Sequence, residues 1–202
     1  FTHDARPDLL YAMFCFVGFA AFAGAVVLGR HRHGAALIYL MWASYGLAVL
    51  TKGPQIPTLF LIAATAWLRR QASSWQHVTA ILMPLRGLLL IVAIAGPWWW
   101  LLQINLPSQS LVNSQLSGSL LRLGFDSLFG LYYLYHPLIM FLPWLILVGL
   151  AAPIARAGGR NEPETRLAQL SVWTLVVTVL MLSFGTQQRY YYALPLVPVV
   201  FM

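Results

Sequence analysis

Leu50-Thr51-Lys52-Gly53-Pro54 separates two apolar runs, 35–50 and 54–68, and its reading decides the fold. Glycine relaxes the backbone where a helix must end and proline cannot continue one, so the five residues form a turn between two helices. Lys52 is the only lysine among the 202 residues. Insertion scales put a lysine in the middle of a membrane helix at about +2.5 to +3.5 kcal/mol, which confines it to an interface, a pore or the side of an anionic partner. A lysine that merely snorkels to the lipid headgroups is the plain alternative.

Working outward, composition fixes the class. The chain is 60% hydrophobic, 14% aromatic and 8% charged, with a mean hydropathy of +0.74, whereas soluble domains carry about 25% charged residues. These values describe an integral membrane protein. The net charge of +7 does not point to nucleic acid, because the arginines are scattered among apolar spans rather than gathered on a basic face with interleaved aromatics. Cys15 is the only cysteine, which excludes an intrachain disulfide and the usual cysteine metal patterns. Phe1 at one end and Met202 inside an apolar run at the other read as the limits of an internal piece of a longer protein.

Apolar stretches able to cross about 30 Å of hydrocarbon fall at 9–29, 35–50, 54–68, 87–102, 128–151 and 167–184, and a seventh begins near 190. The expected fold is all-α, a polytopic membrane protein built as a multi-span helix bundle. Arg30, Arg32, Arg69, Arg70, Arg86, Arg156, Arg160 and Arg166 all fall in loops on one side, which the positive-inside rule makes cytoplasmic. The opposite side carries Asp4, Asp8 and Asp126 together with Arg6, Lys52, Arg122 and Arg189. Carboxylates and isolated cations facing one compartment suit phosphate handling with acid/base chemistry. Pro97-Trp98-Trp99-Trp100, Tyr132-Tyr133 and Tyr190-Tyr191-Tyr192 lie at the same level, where Trp and Tyr commonly form an interfacial belt. The connection from Asn105 to Asp126 is rich in Ser, Asn and Gln among leucines and reads either as an amphipathic segment on the membrane or as a surface loop.

Four patterns then occur in order: Ala5-Arg6-Pro7-Asp8, Thr51-Lys52-Gly53-Pro54, Pro97-Trp98, and Arg189-Tyr190-Tyr191-Tyr192-Ala193-Leu194-Pro195 continuing to Pro198, with Tyr132-Tyr133 and Pro143-Trp144 between the last two. In this order they resemble the membrane glycosyltransferases of GT-C fold related to aminoarabinose transferase and the protein O-mannosyltransferases. The resemblance implies one transmembrane glycosyltransferase domain over 1–202, whose first spans, first outer loop and C-terminal part lie beyond this sequence. It further implies transfer of a sugar from a polyprenyl-phosphate carrier to a lipid, glycan or protein acceptor on the outer face of the cytoplasmic membrane. By that resemblance Lys52 and Arg189 bind the donor phosphate, Asp8 is an acid of the reaction cavity, and Arg6, Arg122 and Tyr191 are cavity candidates.

The main catalytic acid of such enzymes lies upstream of the segment resembling Ala-Arg-x-Asp. Asp8 has an alternative role as a helix N-terminal acid in favourable contact with the helix dipole. Where some relatives have Glu and His that bind a divalent metal, this chain has Asn113, Ser114 and Gln115, so the expected metal ligands are not matched and no cofactor is assigned. His136 is read as structural. His31 and His33 alternate with Arg30 and Arg32, cations that would oppose a bound metal ion. The competing function is a transporter or flippase for a lipid-linked or anionic substrate, for which intramembrane charges and proline-broken helices mark a path. Against it, the charges gather at one face and no half of the chain repeats the other. Partners are therefore a lipid-linked sugar, its acceptor and membrane lipids, with no nucleic acid.

Overall fold

The computed structural model describes residues 8–27, 34–72, 74–105 and 163–183, and every element among them is helical. They are α1 (Asp8–Val26), α2 (Gly34–Lys52), α3 (Gln55–Gln71), α4 (Trp75–Leu82), α5 (Pro84–Asn105) and α6 (Pro163–Ser183). The span read at 128–151, the one beginning near 190, and most of the Asn105 to Asp126 connection lie outside the described residues.

Three described stretches are long and apolar enough to cross a membrane: Asp8–Val26, Gly34–Lys52 and Trp75–Leu101. The other two spans read from the sequence are helices of lower mean hydropathy. α3 is 17 residues long and ends in Arg69 and Arg70, and α6 opens with Glu164 and Arg166. The third apolar stretch is divided. Ser74, extended at φ −138° and ψ 153°, caps α4 by accepting from the His77 N–H at 3.4 Å, the usual service of an N-terminal serine. α4 then stops at Met83, which takes the left-handed conformation at φ 46°. Pro84 starts α5 at the position where its missing N–H is no loss.

α1 and α2 form an antiparallel hairpin with the most extensive helix contact among the described elements, α5 also packs on α2, and α6 lies against α3. The buried core runs between them through Phe19, Phe22, Met41, Tyr45, Phe60 and Trp67. The rings of Phe22 and Trp67 meet edge to face with centroids 6.5 Å apart, and Phe60 lies tilted against both Phe19 and Tyr45 at 6.0 and 6.4 Å. Because lipid is as apolar as leucine, close packing rather than water exclusion must hold such helices together. Two glycines set how close. A Cβ at Gly18 would enter the ring of Tyr45, and one at Gly87 would enter the indole of Trp42. Gly24 meets only ordinary contact from Leu37 and Gly34 faces open space, so neither sets a close approach.

Buried polar groups tie the helices at specific heights. Trp42 donates its indole N–H to the Leu82 carbonyl at 2.8 Å, using the acceptor freed where α4 ends. Trp173 of α6 donates to the Ala63 carbonyl of α3 at 3.1 Å. The resulting bundle gathers Arg69, Arg70, Arg86 and Arg166 at one end and sets Asp8 and Lys52 at the other. Exposed Leu85, Leu88, Leu89 and Val92 run along the outer side of α5.

Candidate functional site

The end opposite the arginines is built around the Lys-Gly-Pro turn. Gly53 extends the ladder of α2 by donating to the Val49 carbonyl at 3.0 Å, then swings to φ +115°. That conformation is open to glycine and strained for residues with a Cβ. Pro54 follows at φ −82° and ψ −4°, and its carbonyl accepts from the Thr58 N–H at 2.9 Å, starting the ladder of α3. The chain thus reverses within two residues, and Lys52 stays in the last turn of α2, where a cation complements the negative end of the helix dipole.

Asp8 is the first residue of α1 and forms an ion pair with Lys52. The carboxylate therefore occupies a helix N-terminus, as read from its position, and also holds the cation of the turn. The Lys52 side chain is 22% exposed and that of Asp8 16% exposed, so the pair is largely withdrawn from bulk solvent yet reachable from it.

Tyr11 completes the site and was not among the residues singled out from the sequence. Its hydroxyl donates to the Gly53 carbonyl at 3.2 Å and accepts from the Ile56 N–H at 3.1 Å. One buried phenol thereby satisfies a carbonyl at the end of α2 and an orphan N–H at the start of α3. Lys52 Nζ stands 5.9 Å from the centre of the Tyr11 ring, within cation–π range. The signal for Tyr11 was its spacing: Asp8 and Tyr11 are three residues apart and share a helix face. Chemically, the arrangement is an ammonium fixed by a carboxylate, a ring and a rigid turn at one end of the bundle, suited to receiving an anionic oxygen.

Gly53→Ala tests the rigidity of this turn. Forcing an alanine to φ +115° is expected to lower stability by about 1 to 3 kcal/mol, the range for residues held in sparsely populated backbone regions. No atom lies within 4 Å of where the Cβ would stand, so the loss would come from the backbone and not from a clash. A detergent melting temperature equal to wild type would show that the turn relaxes freely.

Arg6, Arg122, Arg189 and Tyr191 lie outside the described residues, as does His136. Of the site read from the sequence, the structure brings Asp8 and Lys52 together. Among the described residues no three His, Cys, Asp or Glu side chains come together as metal ligands. No protein-family model, curated protein or solved structure matches the chain.

Proposed function

We propose that the chain is part of a membrane glycosyltransferase of GT-C type, moving a sugar from a polyprenyl-phosphate carrier to an acceptor at the outer face of the cytoplasmic membrane. The observation that supports this reading best is the ion pair of Asp8 and Lys52, which joins two of the ordered motifs at one end of the bundle. In such a transfer the bond between the anomeric carbon and the phosphate oxygen breaks, and negative charge grows on the departing phosphate. A cation already fixed in a poorly hydrated recess offsets that charge without reorganising. An ammonium carries three N–H donors, so service to a carboxylate is compatible with contact to a phosphate. Asp8 then acts as the residue that keeps Lys52 aimed and compensated between turnovers, and Arg189 is the second phosphate ligand on the sequence pattern.

The test is transfer of label from polyprenyl-phosphate sugars by the protein in membranes, comparing wild type with Asp8→Asn. The amide keeps the size of the side chain and removes its charge. Turnover is expected to fall about 10- to 100-fold, the effect of a displaced reacting geometry, while the amount of folded protein changes little. Equal loss of folded protein and of activity would assign Asp8 to the helix end alone. Transport of the lipid-linked sugar without its transfer would favour a flippase.

A further inference from the structure

A cleft of about 440 Å³ opens at the arginine-bearing end, away from Asp8 and Lys52. It lies where α1 and α3 finish, where α2 and α6 begin, and against α4. Val26, Ala35 and Ile81 present its accessible apolar wall, and Gln71, His77 and Arg166 supply its polar groups. The volume falls in the range of small-molecule sites.

The cation of this cleft is held in place. The Arg166 guanidinium donates to Gln71 Oε1 at 3.0 Å and lies 5.9 Å from the Trp67 ring. Arg69 and Arg70 stack beside it, at 5.5 Å over Trp75 and 4.7 Å over Trp173. Glu164 is the only carboxylate described at this end, against the guanidinium groups of Arg69, Arg70, Arg86 and Arg166, so the field at the mouth is positive. Trp75 is 58% exposed on α4, and an exposed tryptophan at the end of a membrane bundle marks headgroup depth.

We propose that this cleft binds an anionic phospholipid, its phosphate on Arg166 and the upper part of an acyl chain along the wall formed by Val26, Ala35 and Ile81. A free inorganic anion would use the guanidinium and leave the apolar wall idle. An uncharged lipid would use the wall and leave the arginines idle. An anionic amphiphile uses both, and a basic recess between membrane helices is where such headgroups collect. A planar guanidinium already held by Gln71 and within cation–π range of Trp67 also grips phosphate oxygens in pairs with little further ordering. The site is separate from the Lys-Gly-Pro turn and does not depend on the activity proposed above.

The experiment is native mass spectrometry of the purified protein in detergent, titrated with phosphatidylglycerol and with phosphatidylcholine. Phosphatidylglycerol should be retained in preference. Arg166→Gln should weaken its retention about fivefold, the effect of one cation at a charged headgroup, and Arg166→Lys should keep most of it. Ala80 lines the cleft and carries no charge itself, so Ala80→Phe should reduce retention while leaving every arginine in place, which keeps the test valid if Arg166→Gln misfolds. Equal retention of the two lipids, or phosphatidylglycerol binding unaffected by Ala80→Phe, would overturn the proposal. Displacement of the lipid by an excess of inorganic phosphate would replace it with a simple anion site.

Discussion

Lys52→Ala is expected to reduce sugar transfer by two to three orders of magnitude, about the effect of removing one preorganised group that stabilises a developing oxyanion. The protein should nevertheless remain inserted and folded. Loss of the ammonium leaves the Asp8 carboxylate, 16% exposed, without its ion-pair partner. Exposed pairs contribute under 1 kcal/mol and breaking buried ones costs 3 to 5, so a pair between these limits should cost about 1 to 2 kcal/mol. Initial rates of label transfer and a melting curve in detergent measure the two effects separately. Lys52→Arg keeps the charge but replaces a point cation with a planar fork, and it should recover stability more fully than rate. Wild-type transfer by folded Lys52→Ala would remove the phosphate role from this turn.

Gly87→Val should be the most damaging single change in the helical core. The Trp42 indole occupies the space a side chain at 87 would need, and Trp42 is only 4% exposed. Its ring cannot withdraw without giving up the 2.8 Å hydrogen bond to the Leu82 carbonyl. Overpacking of this kind costs about 1 to 3 kcal/mol and a broken buried hydrogen bond about 1 to 3 more. The expected result is a sharply reduced yield of folded protein, with the contact between α2 and α5 lost first. Gly24→Ala is the matched control, because its added methyl meets Leu37 at an ordinary 3.5 Å. Equal yields of the two variants would show that α5 does not seat against Trp42.

How much of this was legible follows from what each feature depends on. The turn at Lys52 could be read because its causes are local: glycine and proline act on their own backbone whatever surrounds them. The helices flanking it were legible for the same reason, to within a few residues at each end, as with 35–50 read against Gly34–Lys52. Most of the separation of charge was legible too, since helices of near-membrane length alternate in direction. α4 was not, because Gln76 and His77 interrupt the apolar pattern. Its markers were Ser74 before the first turn and Pro84 after the last, signals of capping rather than of hydropathy. Gly18 and Gly87 could not be told from Gly24 and Gly34, because the need for a missing Cβ arises from an aromatic ring on another helix. Tyr11 shares a helix face with Asp8, but its partners were not legible, since its two hydrogen bonds reach 42 and 45 residues along the chain.

The pairing of Asp8 with Lys52 also bears on biogenesis. The two residues belong to consecutive helices that pack as a hairpin, so their contact requires nothing synthesised after position 52. As the second helix leaves the translocon, its terminal lysine can meet the aspartate already lodged at the start of the first. The sole lysine is then neutralised before α3 has been made, and the two helices, whose only charged residues are Asp8 and Lys52, enter the bilayer with those charges offset.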